Sequence, residues 1–264
     1  MTAAPSIHVR FLKSLVRSLS IVFVLTLLLF LAGLTPPAHA MLEGKLLYFP
    51  SHEPNRSALT EWKVDGALAG YARLVAQPRA IWLITHGNGG QAADRTYIID
   101  NLPADTSVYV LEYPGYGLRP GKPSMKSINA AALSAYEALR ALHPGLPLNV
   151  FGESLGSGPA SYLCSLPVPP DALVLAVPYD NLLSVAKESI SFLPVGLLMR
   201  DKWDNVKTLS AYKNPVTIFG ALHDTIIRVT HARALAKTIP HVRYIELPCG
   251  HNEWSLSPQV RITD

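Results

Sequence analysis

Short apolar runs rich in β-branched and aromatic residues recur along the chain and limit the folds that it can adopt. Most of them are apolar without interruption rather than at alternate positions, and Gly, Pro or Asn bounds them. Continuous apolar character is typical of strands that helices cover on both faces, as in a parallel sheet. The runs are KLLYFP from Lys45, AIWLITHG from Ala80, SVYVLEYPG from Ser107, LNVFGES from Leu148, ALVLAVPYD from Ala172, PVTIFGALHD from Pro215 and VRYIELPCGH from Val242.

Helical patterns separate these runs. The stretch from Ser124 to Leu142 opens with a serine and carries good helix formers with one apolar face. The stretch from Thr230 to Ile239 repeats this scheme more briefly. Strands that alternate with helices imply right-handed crossovers, so the sequence predicts an α/β fold with a doubly wound, mostly parallel sheet.

The first 40 residues differ in composition from the rest of the chain. Basic residues precede a charge-free apolar run from Ser20 to Leu34, and the small-residue pattern Ala-His-Ala ends at Ala40. This layout is typical of a secretory signal peptide cleaved after Ala40, or of an uncleaved N-terminal membrane anchor. We expect residues 41–264 to form one domain outside the cytoplasm, either exported (periplasmic or secreted) or anchored in the membrane.

Most of the basic net charge lies in this leader. Arg10, Lys13 and Arg17 precede residue 41 and no acidic residue does, so the remaining chain has 20 basic and 19 acidic residues. Nucleic-acid binding requires a basic face, and none is indicated here. The sequence therefore predicts no nucleic-acid partner.

Cys164 and Cys249 are the only cysteines in the sequence. Export permits a disulfide between them, but their separation along the chain favours two independent core thiols.

The segment Leu148 to Gly158, LNVFGESLGSG, carries the pattern G-x-S-x-G around Ser154. A predicted strand precedes the pattern and a helix-forming stretch follows it, which is the context that a serine nucleophile requires. Gly152 and Gly156 lack a Cβ, so strand and helix can approach closely while the tight turn exposes the serine Oγ. Ser154 is the predicted nucleophile.

A serine nucleophile needs a base, and the base needs an orienting acid. Ligands of parallel sheets bind beyond the carboxyl ends of the strands, so residues that directly follow a strand are candidates. His251 ends the last of the quoted runs and Asp224 ends the run before it, which gives the chain order Ser, Asp, His of this architecture. Asp180 is the alternative acid, although it could instead cap the first helix of the next segment.

The segment LITHGNGGQ places three glycines around Asn88. Glycines let backbone N–H groups converge on an oxyanion, and the N–H of Leu155 would supply a second donor at the start of the nucleophile helix. His86 in this segment is interpreted as a structural loop residue. The glycines match neither a Walker nor a dinucleotide-binding spacing, so we expect no cofactor and no metal ion.

Residues 180–213 are too many for a simple crossover between strands. The segment is apolar, and Pro194 interrupts its helical pattern. Insertions at this edge of such sheets commonly cover a site, which predicts a small helical lid at about 180–213. A pair of crossover helices packed on the core would explain the same residues equally well.

The motifs THGNGG, LEYPGYGLRPGKPS, FGESLGSG, VPYDNL, GALHD and GHNEW, taken in order, resemble those of α/β-hydrolase-fold serine hydrolases. The similarity runs from Leu46 to Trp254 and is greatest to a subgroup of membrane-anchored or exported hydrolases related to eukaryotic depalmitoylases and lysophospholipid hydrolases. The chain departs from this subgroup after Asp224, where TIIRVTH lacks the usual proline, and after His251, where thirteen residues are too few for the usual closing helix. The resemblance implies the following site: Ser154 as nucleophile, His251 as base, Asp224 as acid, and the N–H groups of Asn88 and Leu155 as oxyanion hole.

The predicted function is hydrolysis of a carboxylic ester or thioester through an acyl-enzyme on Ser154. The expected partner is a small-molecule or lipid-like acyl substrate, and an uncleaved leader would add association with a membrane. Two alternatives stay open: a serine peptidase on the same fold, and a catalytically inert binding module.

Overall fold

The computed structural model describes residues 20–23, 44, 47–190 and 195–262. The predicted leader, residues 1–40, lies outside the described residues except for 20–23, which are helical. Within the described ranges, no helix combines the length and the apolar character that crossing a membrane requires. The chain from Gly44 to Asp264 forms one compact unit.

A single sheet of eight strands forms the centre of this unit. The strands are β1 (Thr60–Val64), β2 (Ala67–Arg73), β3 (Ile81–Thr85), β4 (Ser107–Leu111), β5 (Leu148–Glu153), β6 (Leu173–Ala176), β7 (Val216–Ala221) and β8 (Arg243–Leu247). Their order is β1-β2-β4-β3-β5-β6-β7-β8. β2 is antiparallel to both of its neighbours, and all other pairs are parallel. The predicted α/β fold with a doubly wound, mostly parallel sheet is confirmed.

The central strands are covered on both faces. Every position of β3, β4, β5 and β6 is buried. Successive side chains of a strand point to opposite faces, and the neighbours Trp82 and Leu83 accordingly belong to two different clusters of buried apolar residues. This double burial explains why the runs are apolar continuously.

The described helices connect and flank the strands. They are α1 (Thr96–Ile99), α2 (Met125–Leu142), α3 (Ser157–Leu163), α4 (Leu182–Ser189), α5 (Val195–Leu198), α6 (Asn205–Leu209) and α7 (Val229–Thr238). Helix α2 begins as predicted, because the Ser124 side chain accepts a hydrogen bond from Ser127 N. Its apolar face packs on the sheet through Ile128, Ala132 and Leu139.

The first edge of the sheet differs from the prediction. The run from Lys45 was predicted to be a strand, but Leu47 is helical and Pro50 makes only an isolated bridge to Gly90. Proline cannot donate to a strand ladder, which limits pairing here. The edge consists instead of β1 and β2, joined by Asp65 and Gly66 at positive φ values of 50° and 79°. Positive φ at both residues is the requirement of a tight hairpin turn.

The predicted lid segment, 180–213, contains α4, α5 and α6. Among its described residues, Trp203 is buried and donates its indole N–H to Asn129 Oδ1 at 2.9 Å. Asn205 Nδ2 donates to Ser157 Oγ at 3.1 Å and to Tyr179 O at 2.8 Å. These contacts fix the end of the segment to helices α2 and α3, and the assignment of the segment as a lid stays a prediction.

Candidate active site

Ser154 lies in a strained turn directly after β5. Its φ is 50°, a left-handed value that residues with a Cβ rarely adopt. Gly152 and Gly156 allow this turn: a Cβ on Gly152 would come within 2.7 Å of Ala160 Cβ, and one on Gly156 would overlap the Thr85 carbonyl oxygen. The glycines therefore bring strand and helix close together and direct Ser154 out of the sheet edge.

His251 bridges Ser154 and Asp224. Its Nε2 lies 3.0 Å from Ser154 Oγ, and its Nδ1 lies 2.6 Å from Asp224 Oδ2. Asp224 Oδ1 accepts hydrogen bonds from the backbone N–H groups of Ile226 and Ile227, both at 2.8 Å. The carboxylate is thereby held with one oxygen facing the imidazole ring. The structure brings together the three residues that the sequence predicts as nucleophile, base and acid.

Asp180, the alternative acid, pairs with a different histidine. Its Oδ1 lies 2.7 Å from His231 Nδ1, and the other ring nitrogen of His231 lies 3.5 Å from Glu188 on α4. Its neighbour Asn181, rather than Asp180, caps α4 by accepting from Leu183 N and Ser184 N. Asp180 thus joins the end of β6 to α7, apart from the Ser154 cluster.

Asn88 follows β3 in the glycine-rich loop, and its side chain anchors that loop. The Oδ1 atom accepts from Phe49 N at 3.1 Å and from Tyr116 Oη at 2.9 Å, while Nδ2 donates to Leu47 O at 2.6 Å. Leu155 lies in the other segment, within the short 3-10 turn Ser154–Gly156 that follows β5. The two residues predicted to form the oxyanion hole therefore lie in the two segments that meet at Ser154.

His86 is a buried structural residue of the same loop. Its ring stacks on Tyr113 with centroids 4.1 Å apart, and its Nδ1 lies 2.7 Å from Gly87 O. Its Nε2 faces Glu112 at 3.6 Å. These contacts fit its interpretation as a loop residue.

A cavity of about 360 Å³ opens beside Ser154. Asn88, Ser154 and His251 contribute to its wall, and Phe49 and Ile226 form an apolar rim with 58% and 55% of their surfaces exposed. Among the described residues, none from the predicted lid lines this cavity. The part of the lid that the structure describes borders a separate groove of about 940 Å³, which contains none of the five predicted site residues.

Glu153 is a site residue that the sequence reasoning missed. Its side chain lines the same cavity and is almost fully buried. The Tyr97 hydroxyl lies 2.7 and 2.9 Å from the two carboxylate oxygens and shares its one donor proton between them. Burial and the neighbouring Glu153 raise the pKa of Tyr97 well above its usual value, so the phenol stays a donor. The available signal was the one charged residue of β5, at the end of that strand.

The cysteines are free thiols in the structure, so no disulfide joins Cys164 and Cys249. Burial raises the pKa of both thiols, and at Cys249 the charges of Glu253 and Asp224 raise it further. Neither thiol is activated as a nucleophile.

Solved structures share this arrangement of strands and helices. An α/β-hydrolase from Vibrio vulnificus superposes with a TM-score of 0.67 at 16% identity, covering 85% of this chain and 90% of its own. An esterase from Pyrococcus furiosus superposes with a TM-score of 0.62 at 13% identity, covering 80% of this chain and 94% of its own.

The chain has the α/β-hydrolase fold. No protein-family model matches its sequence. An uncharacterised protein of Mycobacterium tuberculosis is 29% identical over 228 residues, which are 80% of this chain and 81% of that protein. Sequence similarity therefore extends through most of the α/β-hydrolase domain.

Two eukaryotic relatives are longer than the matched region. Lysophosphatidylserine lipase ABHD12 of Macaca fascicularis is 32% identical over 124 residues, 44% of this chain and 31% of that protein. Alpha/beta hydrolase domain-containing protein 17C of Xenopus laevis is 27% identical over 218 residues, 75% of this chain and 65% of that protein. The chain thus spans less than two thirds of either relative.

Proposed function

We propose that the protein is a serine hydrolase that cleaves carboxylic ester or thioester bonds through an acyl-enzyme on Ser154. The observation that carries the proposal is the position of His251, 3.0 Å from Ser154 Oγ and 2.6 Å from Asp224 Oδ2. A hydroxyl next to an oriented base is the arrangement by which a serine becomes a nucleophile. The lipase and esterase named among the similar proteins support the same class of reaction.

The proposed reaction has two half-reactions. His251 Nε2 takes the Ser154 proton as Oγ bonds to the substrate carbonyl carbon, and the N–H groups of Asn88 and Leu155 stabilise the resulting oxyanion. His251 then gives its proton to the departing oxygen or sulfur, which leaves the acyl group on Ser154. Water attacks this acyl-enzyme with His251 again as base, and release of the carboxylic acid restores the serine.

The walls of the cavity support an acyl substrate with an apolar part. The exposed rings and methyl groups of Phe49 and Ile226 at the rim would contact an alkyl chain that extends out of the cavity. The predicted export and membrane association would bring such lipid-like substrates close to the site. N-terminal sequencing of the protein recovered from cells would test the predicted cleavage after Ala40.

A fluorophosphonate probe tests the nucleophile directly, because it reacts with an activated serine. We expect the purified wild-type protein to be labelled and Ser154→Ala to lose labelling. Ser165→Ala is the matched control, since Ser165 is an exposed serine just beyond the end of α3 and should leave labelling unchanged. Labelling of Ser154→Ala at the wild-type rate would refute the assignment, and an unlabelled wild type would favour the binding module.

A series of p-nitrophenyl esters from acetate to palmitate, with matching thioesters, would then define the substrate. Turnover of these esters and thioesters is expected without release of amino acids from peptides, which are assayed in parallel. Release of amino acids from peptides would favour the peptidase.

A further inference from the structure

Glu153 immediately precedes the proposed nucleophile and is 6% exposed. The described groups that contact its carboxylate all carry N–H or O–H donors. Gly87 N donates to Oε2 at 3.0 Å, Trp254 Nε1 donates to Oε1 at 3.0 Å, and the hydroxyl of Tyr97 contacts both oxygens. Arg95 Nη1 adds a positive charge 4.0 Å from Oε2. The surroundings of Glu153 therefore match an anion.

These donors come from the segments that hold the other parts of the site. Gly87 directly precedes Asn88, whose N–H is the proposed oxyanion donor. Trp254 lies three residues after His251, in the short turn that follows the base. The carboxylate of Glu153 thus joins the oxyanion loop and the histidine loop to the end of β5, directly before Ser154.

The network requires a charge rather than only the shape of the side chain. A buried carboxylate is costly unless several donors compensate it, and here donors face both oxygens. Glutamine would put an amide N–H₂ group against either the Gly87 N–H or the Trp254 N–H. One pair of donors would then face each other, and the loop that carries the displaced donor would shift.

The oxyanion loop at Gly87 approaches the end of β5 closely. A Cβ on Gly87 would come within 2.9 Å of Glu153 Oε2 and 3.6 Å of Ser154 Cβ. A glycine therefore lets the backbone N–H reach the carboxylate, and a small shift of this loop would redirect the neighbouring Asn88 N–H.

We propose that Glu153 is a positioning residue. Its ionised carboxylate fixes the positions of the Asn88 N–H and the His251 ring relative to Ser154 Oγ. The inference rests on the proposed serine hydrolase function. The positioned groups act on the tetrahedral intermediate that carries the oxyanion rather than on the bound substrate. Loss of the charge on Glu153 therefore lowers kcat and leaves KM nearly unchanged. Arg95 offsets the carboxylate charge, which would otherwise oppose an oxyanion nearby.

The test compares Glu153→Gln with Glu112→Gln. Glu112 is a matched control because it is likewise buried and accepts from a backbone N–H, that of Ala92, at 3.1 and 3.2 Å, while it faces the oxyanion loop through the ring of His86 and not through a backbone N–H. It is not among the described residues that line the Ser154 cavity. Both variants and the wild type are titrated with a fluorophosphonate to count reactive sites, and kcat per titrated site and KM are then measured with p-nitrophenyl acetate.

Removal of one oxyanion donor typically lowers kcat by about 10²–10³-fold, so a displaced donor is expected to lower it by about 10- to 100-fold. We expect this loss in Glu153→Gln with KM within about threefold of wild type. Glu112→Gln should keep the wild-type kcat per titrated site even if it unfolds at a lower temperature. Equal kcat per site for Glu153→Gln and wild type, or equal losses in the two variants, would overturn the inference.

Tyr97→Phe provides a second variant if Glu153→Gln fails to fold. It removes one hydroxyl donor from the carboxylate and keeps the ring, so a smaller decrease in kcat per site is expected, and an unchanged kcat would overturn the inference. Wild-type labelling at Ser154 separates the two hypotheses. If the wild type is labelled and the variants keep the wild-type kcat per site, only the positioning role of Glu153 is refuted. If the wild type is not labelled, the proposed function is refuted, and so is the inference that rests on it.

Discussion

Replacing Asp224 by asparagine tests the proposed triad through the tautomer of its histidine. Asp224 Oδ1 accepts two backbone N–H groups, from Ile226 and Ile227, both at 2.8 Å. An asparagine must therefore keep its oxygen at this position and turn its NH₂ group toward His251 Nδ1. That nitrogen would become the acceptor, so the ring proton would move to Nε2. A protonated Nε2 cannot take the proton from Ser154.

The size of the effect follows from the contact that is lost. At 2.6 Å and an effective dielectric constant of about 20, attraction between the carboxylate and an imidazolium is about 6 kcal/mol. This energy corresponds to between four and five powers of ten in rate at about 1.4 kcal/mol per tenfold change. Since both charges are delocalised beyond the two contacting atoms, we expect kcat to fall by about 10³- to 10⁴-fold.

The assay is hydrolysis of p-nitrophenyl acetate at neutral pH, with circular dichroism to establish folding. Asp180→Asn is the matched control, because Asp180 also contacts a histidine, His231 at 2.7 Å, but outside the Ser154 cluster. It should keep activity within about threefold of wild type. If Asp224→Asn retained more than a tenth of the wild-type kcat, or Asp180→Asn lost as much as Asp224→Asn, the reasoning would be wrong.

Three further predictions concern the turn, the rim and the thiols. Gly156→Ala should lower the melting temperature by at least about 5 °C, because the added Cβ would overlap the backbone oxygens of Thr85 and His86, which cannot move aside by a rotamer change. An unchanged melting curve would contradict the packing described here. Phe49→Ser and Ile226→Ser should raise KM for p-nitrophenyl decanoate by about threefold or more and leave KM for the acetate nearly unchanged, since only the longer chain reaches the exposed rim; equal changes for both esters would count against that role. Because burial raises the pKa of Cys164 and Cys249, both should carry less thiolate than a free cysteine at pH 8 and react slowly with Ellman's reagent in the native protein; unfolding should release two reactive thiols, and none would indicate a disulfide.

The central sheet could be predicted from sequence because its strands are buried on both faces and therefore apolar throughout. The edge could not be predicted in the same way. Thr60–Val64 has three exposed or half-exposed polar positions and lacks a continuous apolar run. A local signal was nevertheless present, since Asp65 and Gly66 form a pair typical of tight hairpins. Burial on one face alone leaves a weaker pattern than burial on two.

The candidate site also contains residues that the sequence could predict and contacts that it could not. Ser154, Asp224 and His251 could be proposed from their positions after strands, because one sheet edge brings such positions together. The contacts of Glu153 could not, since its partners Gly87 and Trp254 lie 66 and 101 residues away along the chain. Hydrogen bonds across such separations leave no periodic pattern, and only the folded chain reveals which donors converge.

The left-handed backbone of Ser154 has a consequence for how this protein could evolve or be engineered. Glycine is the residue that this φ favours, and a side chain there costs roughly 1–2 kcal/mol. Selection for stability alone would thus favour glycine at position 154, while selection for reactivity retains serine. Screens for thermostability without an activity assay would therefore select inactive variants at position 154, on which the proposed chemistry depends.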